Sequence, residues 1–408
     1  MPELRFNEFT NDYTKYRLAE LMVRVSEHNK DEEFNIDDIL SLSSIYGIVD
    51  RKELLEDTYS KVNHLNYIKT RLDEFVYGKS ISASYPYGLF KANRCRDGLL
   101  STLYFTFKTF ENANSAYLDK YFSYHNRANN FLKKYVLVGD RYITADANYI
   151  LSGKISTPDV PEQTKVVELF DKIEDKIILL EQKLENLKLF KKGLFMKLYP
   201  LKENLPKLRF NEFKDRYSGA QFKYITMKTG KKNKSKITYP MYSINNKVGF
   251  LPQEEQFDRN NKVNIKDYRI VEPDDFAYNP ARVNVGSIGF NDIGETVIVS
   301  SLYVVFNTAT EIDNKYLFQY FKSKDFTKGV KRYEEGSVRL YLFYDNFASM
   351  RFKYPSIQEQ KKVASMLSII DKKISVLNKK LEALKQFTST LSTMFTYTII
   401  TTIIEVNI

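Results

Sequence analysis

Two stretches of the chain alternate apolar residues in steps of three and four for about four heptads. In the first, Val166, Ile173, Leu180, Leu187 and Leu194 form one series, and Phe170, Ile177 and Leu184 form the other. In the second, Val363, Ile370, Leu377, Leu384 and Leu391 run beside Leu367, Ile374 and Leu381. Lysine and glutamate fill the other faces, so each stretch predicts a long helix with a coiled-coil seam, not an ordinary amphipathic surface helix. Pro158, Pro161 and Glu162 mark the first start, with the carboxylate where the helix dipole favours it; Pro355 and Glu359 stand before the second. At 1.5 Å per residue, a helix of about 35 residues is a rod of roughly 50 Å. The simplest partner for each rod is the other, paired antiparallel, which would put a globular domain at each end. The seam residues are the candidates for that pairing and for docking a partner.

The rods close two halves of a duplication. Arg5-Phe6-Asn7-Glu8-Phe9 recurs as Arg209-Phe210-Asn211-Glu212-Phe213, an offset of 204. Phe75-Val76-Tyr77 resembles Phe276-Ala277-Tyr278, Leu103-Tyr104 resembles Leu302-Tyr303, and Tyr117-Leu118 with Tyr121-Phe122 resembles Tyr316-Leu317 with Tyr320-Phe321. Pro158, Glu162 and Gln163 match Pro355, Glu359 and Gln360 at an offset of 197. A one-way drift of this kind is what small deletions in a true repeat produce. The opening and closing strips of each half are close, whereas the middles share only a skeleton.

Each middle mixes strand-like and helix-like runs. Leu99 to Phe107 and Glu295 to Phe306 are rich in β-branched and aromatic residues and read as strands. The runs AYLDKYFSYH and NKYLFQYFKS that follow carry apolar residues at helical spacing. The expected fold is α+β: two pseudo-repeated globular domains, 1–157 and 201–354, each followed by a long helix, 158–200 and 355–396, with an apolar tail at 397–408. That tail is too short to span a bilayer and reads as a terminal strand or a loose, sticky end.

Composition narrows the partner. Lys and Arg total 62 against 51 Asp and Glu, a net charge of +11, which favours a polyanion such as nucleic acid. The single cysteine, Cys95, rules out an intramolecular disulfide framework and fits a reducing cytoplasm. The three histidines lack metal-ligand spacing, and the charged first residues do not resemble a secretory leader. Three irregular stretches interleave basic, small polar and aromatic residues. Lys79, Ser80, Tyr87, Lys91, Asn93, Arg94 and Arg96 lie in the first domain. Arg282, Asn284 and Ser287, then Lys331, Arg332, Arg339 and Tyr341, lie in the second. An arginine fork matches guanine, asparagine matches adenine, and lysine or serine suits phosphate, so these are the candidate DNA contacts. Lys231 and Lys232, inside the lysine run KTGKKNKSK, suit phosphate rather than bases.

No catalytic constellation accompanies them. Pro158-Asp159 with Glu181-Gln182-Lys183 imitates a nuclease signature, but the last three fall on polar faces of a predicted rod with no sheet to hold a metal. Tyr278-Asn279-Pro280-Ala281 lacks the second proline and aromatic of an amino-methylating pocket, and no phosphate-binding glycine loop or nucleophile elbow occurs. The chain reads as a binder, not an enzyme.

Taken together, four features resemble the DNA-specificity subunit of type I restriction–modification enzymes. They are the repeated Pro-x-Leu-Arg-Phe-x-Glu-Phe openings, the stretch Tyr278-Asn279-Pro280-x-Arg282-x-Asn284-x-Gly286-Ser287, the stretch Gly336-Ser337-Val338-Arg339, and the Pro-x-x-x-Glu-Gln rod entries. The resemblance implies two target-recognition domains, each reading one half of a split double-stranded DNA target. It implies that the helices set the spacer and dock two methylating subunits, and that translocating, cleaving subunits complete the complex. S-adenosylmethionine, ATP and magnesium would then act on those partners, with no cofactor or metal in this chain and no membrane involved. The first domain lacks the Asn-Pro-x-Arg and Gly-Ser-Val-Arg stretches. The rival expectation is a coiled-coil scaffold that never touches DNA; it accounts for the rods and the duplication but not for the basic loops.

Overall fold

The computed structural model describes residues 4–54, 63–139, 143–199, 206–234, 237–246, 249–253, 265–337, 339–395 and 402–403. The two seams are single helices, Val160–Leu198 and Ile357–Met394. Pro161 sits in the first turn of the former, where its missing N–H costs nothing. Two compact units share the rods: Met1–Glu181 with Lys379–Ile408, and Gln182–Asn378.

In the first unit the rods run antiparallel. Phe170 meets Phe395 edge-on at 6.1 Å, and eleven residues further along the first rod Glu181 pairs with Lys385 at 2.7 Å. Val166, Phe170 and Ile173 of the first rod and Leu391 of the second are buried in that unit's core, with Ile177 and Leu384 packed at its margin. In the second unit Lys191 meets Asp371 at 2.6 Å. There Leu194, Val363, Leu367 and Ile370 are buried in the core, and Leu187 and Ile374 flank it. Glu181, the last acid of the nuclease look-alike, is thus held by a lysine. Among the described residues no helix is long and apolar enough to cross a membrane.

Each unit builds the same domain. Its centre is a four-stranded sheet, ordered Met22–Val25, Tyr104–Thr109, Phe75–Gly78, Leu89–Ala92 in the first and Thr226–Lys228, Val304–Thr308, Phe276–Tyr278, Ile288–Phe290 in the second. Alternate residues of the central strands, Phe75, Tyr77, Phe105 and Phe107 or Phe276, Tyr278 and Phe306, face a helix: Ser115–Ser123, capped by Asn114, or Asn314–Phe321, capped by Asp313. The two aromatic runs expected as single strands are each two. Leu99 to Phe107 breaks after Leu100, and Glu295 to Phe306 breaks after Val299, at turns closed by Tyr104 N–H to Ser101 O and Tyr303 N–H to Ser300 O. The pieces then pair with different neighbours, which a run of β-formers cannot foretell.

The repeated opening strips have a common task. Arg5 pairs with Glu162 at the start of the first rod, and Arg209 pairs with Glu359 at the start of the second. Tyr13 and Tyr217 donate to the same carboxylates, each at 3.2 Å. Gln163 accepts from Asn114 N–H and donates to Pro158 O; Gln360 accepts from Asp313 N–H and donates to Pro355 O. The duplicated residues fasten each rod to its own domain. Of the tail, Thr402–Ile403 pairs in parallel with Leu4–Arg5; residues 396–401 and 404–408 lie outside the described residues.

Candidate nucleic-acid interface

In the second domain, strand Phe276–Tyr278 runs into a loop wound on itself. Asn279 Oδ1 accepts from Ala281 N–H, and Arg282 O accepts from the N–H groups of both Val285 and Ser287. Gly286 makes the turn at φ +93°, a conformation few other residues adopt. A second loop lies across it. Leu342 N–H donates to Pro280 O at 3.0 Å, and the Tyr278 hydroxyl donates to Leu342 O at 3.0 Å. Glu335 and Tyr341 exchange two backbone hydrogen bonds that close this loop. At its tip Gly336 has φ +132°, and a Cβ there would strike the Arg339 carbonyl oxygen. Leu342 is the buried anchor, while Arg339, Leu340 and Phe343 stay exposed.

The two loops enclose a cleft of about 770 Å³, lined by Arg282, Asn284, Leu302, Arg339, Tyr341 and Phe343, with Pro280 and Asn279 at its base. Four residues expected from sequence to touch DNA, namely Arg282, Asn284, Arg339 and Tyr341, meet here from segments some sixty positions apart. Tyr341 and Phe343 stack at 5.8 Å and 12°. Among the described residues neither Arg282 nor Arg339 faces a carboxylate, so both forks are available for an incoming acceptor. Lys331 and Arg332 are exposed in the last turn of the helix Lys324–Tyr333, which leads into the second loop.

Other expected contacts are occupied. Ser287 is buried, and its hydroxyl donates to Ile244 O at 3.0 Å. Lys232 pairs with Asp267, whereas Lys231 is exposed beside it. In the first domain Asn93 is fully buried: its amide donates to Arg71 O and Arg96 O, and its oxygen accepts from Cys95 N–H. Asn291 does the same in the second domain, with Val271 O, Glu295 O and Ile293 N–H. Asn93 and Ser287 are thus buried and bonded within their own domains. Burial also engages Lys91, with Asp119 and Ser123. Arg96 bridges Asp38 and Asp50, and Arg94 forms a two-pronged pair with Asp171 on the first rod that holds the Asp171 pKa below its usual value. Ser80 is exposed, and Tyr87 lends its carbonyl to the Tyr77 hydroxyl.

Lys79 is different. Its ammonium lies 4.0 Å over the Phe105 ring, and the Arg24 guanidinium lies 4.8 Å over the same ring. Burial, then the charge of Arg24, lowers the Lys79 pKa. Arg24 escaped the sequence reading because it stands alone on a strand. Glu27, Asp31 and Glu33 are the carboxylates among the described residues that come close enough to share a cation. Lys69 Nζ already bonds all three at 2.6–2.8 Å, and Arg71, then Lys69, hold Glu33 down to about 2.

The rods carry exposed apolar residues outside the heptad series. Leu179 and Val376 occupy equivalent places in the repeat, as do Phe190 and Phe387, and each is more than half exposed, from 52% to 64%. The seam residues expected to dock a partner are turned inward, and these four, with Ile178, Leu189 and Ile369, are rod positions that offer apolar surface. The recurrence of the four at the repeat spacing was the sequence signal.

Residues 221–386 match the family model for the type I restriction modification DNA specificity domain. The fold is similar to that of the type I restriction–modification S subunit of M. genitalium, at a TM-score of 0.59 and 13% identity over 98% of this chain and 99% of that one. A chain from a structure describing complex assembly and conformational transition of a type I R-M system aligns at a TM-score of 0.51 and 10% identity, covering 94% and 97%. A comparison with curated proteins gives no match. The matched specificity domain lies in the second half of the chain, and the first half builds the same arrangement of sheet and helix again.

Proposed function

We propose that this chain is the sequence-reading, non-catalytic subunit of a type I restriction–modification complex, and that its two domains read the two halves of a split double-stranded DNA target. The observation that carries the reading is the cleft of Arg282, Asn284, Arg339 and Tyr341. It combines unpaired guanidinium forks, an amide and an aromatic stack on loops whose backbones are tied together. Forks and amides discriminate base edges, and rigid loops fix which base each one meets. In the first domain Lys79 and Arg24 on the Phe105 ring supply positive charge at the same sheet.

The shared framework supports docking of two like methylating subunits. Each unit presents, among its exposed rod residues, an aliphatic and an aromatic one at equivalent repeat positions, Leu179 with Phe387 and Val376 with Phe190. Rod length would set the unread gap. S-adenosylmethionine, ATP and magnesium would serve the methylating and the translocating, cleaving partners.

Co-expression with the methylating partner, followed by genome-wide mapping of methylated adenines against a partner-only control, tests the reading. Two short specified blocks around a fixed gap are expected. An intact complex with no motif beyond the control would favour the scaffold instead.

A further inference from the structure

The helix Lys324–Tyr333 buries Phe326 and Val330 and turns Lys324, Lys328 and Lys331 outward at the i, i+4, i+7 positions of one face. At its C-terminal end stands the loop of the reading cleft. At its N-terminal end is a separate cavity of about 430 Å³ against the first rod, where Lys188, Lys191 and Lys192 face Lys322, Lys324 and Lys328. Asp325 is the one acid in that lining, and among the described residues Lys191 alone of the six forms an ion pair, with Asp371. Lys322 lies 4.0 Å over the Phe318 ring, where burial and then Lys191 lower its pKa. So much unneutralised charge in one place calls for an anion.

We infer that Lys188, Lys192, Lys324, Lys328 and Lys331 form a track for the DNA backbone, running from the reading cleft to the rod. The inference rests on the DNA-reading proposal and adds to it a sequence-independent grip outside the half-target. The charges form a line rather than a point: seven residues of helix cover about 10 Å, the rise of roughly three phosphates along one strand. Lysine is a point charge without the planar fork that reads base edges, so it suits phosphate. The line belongs to the second domain. The equivalent helix of the first, His125–Leu132, places His125, Asn129 and Leu132 where these lysines stand. On the second rod Lys385, Thr388 and Ser389 replace Lys188, Lys191 and Lys192, and Lys385 is already paired with Glu181. A surface built for two like partners would appear twice; this one serves something that meets the chain once.

Binding of the full chain to a random-sequence duplex, measured across a series of NaCl concentrations, tests the track. Each phosphate neutralised contributes about 0.9 to the slope of log K against log salt. Lys324→Gln/Lys328→Gln should lower the slope by about 1 to 2 and Lys188→Gln/Lys192→Gln likewise by about 1 to 2, with unchanged thermal melting and an unchanged methylation motif. Wild-type slopes in both folded variants would overturn the track while leaving DNA reading in place. Unchanged slopes together with loss of a co-purifying partner subunit would also overturn it and assign the lysines to an acidic protein segment. No DNA binding by the wild-type chain would sink the parent reading along with the track.

Discussion

The Arg5 guanidinium grips both oxygens of the Glu162 carboxylate, Nε bonding Oε1 at 2.9 Å and Nη2 bonding Oε2 at 2.7 Å. Glu162 is fully buried, at the point where the first rod leaves its domain. The pair thus joins the first strip of the sequence to an element 157 positions later. Removing one partner leaves a buried charge uncompensated. Arg5→Ala should therefore cost about 3 kcal/mol, the low end for a broken buried pair because Arg5 reaches the surface. Arg5→Met/Glu162→Met should recover most of the loss. Urea unfolding of the three chains checks this; an unaffected single variant would mean the clamp is ornamental.

At the cleft, loss of a fork that pairs with a base edge costs discrimination of about 1–3 kcal/mol, roughly five- to 160-fold. Arg282→Ala and Arg339→Ala should relax one block of the methylated motif and leave the other block and the gap intact. Relaxation of both blocks, or of neither, would count against this assignment.

Asn93→Ala and Asn291→Ala form a matched control. Each leaves two backbone carbonyls and an N–H without a partner, a loss of about 1–3 kcal/mol. Both should lower the denaturation midpoint to a similar degree without altering sequence preference. A changed motif in Asn93→Ala would restore that residue to the reading surface.

Charge placed on the exposed apolar positions of the rods should release partners without unfolding the chain. Leu179→Glu/Val376→Glu and Phe190→Glu/Phe387→Glu remove apolar surface that is already exposed, so stability should shift by less than about 0.5 kcal/mol. Co-purification of the methylating subunit should fall in both; undiminished recovery would place docking elsewhere.

Arg94 fastens a loop of the first domain to Asp171 of the rod, and its hydrogen bonds lower the Asp171 pKa. A depressed carboxylate contributes stability above its unfolded value and loses it as pH falls through the folded one. The contribution should thus be present at neutral pH, decline as pH falls past the usual Asp value of 3.8, and be gone below the lower folded value. In Arg94→Ala, carboxyl NMR should show Asp171 titrating higher, and an unmoved titration would refute the attribution.

The amino-acid order by itself determined the duplication, the two rods with their seams, and the presence of Arg282, Asn284, Arg339 and Tyr341 in loops. Those features are local: heptad spacing, a recurring strip and a loop composition survive in one dimension because each is set by neighbours a few residues apart. Tertiary structure decided which polar residues were already spent. Asn93 and Arg282 look alike in sequence, as basic-loop residues with hydrogen-bonding groups. Only the folded backbone brings three partners around Asn93 and leaves the Arg282 fork, among the described residues, without a carboxylate. It also decided that each aromatic run would split between sheets, that Glu162 would be a buried anchor rather than a dipole-facing surface acid, and that lysines from a rod and a distant helix would line one cavity. A polar group's availability depends on what lies within about 3 Å of it, and that distance is fixed by contacts between segments far apart in the chain.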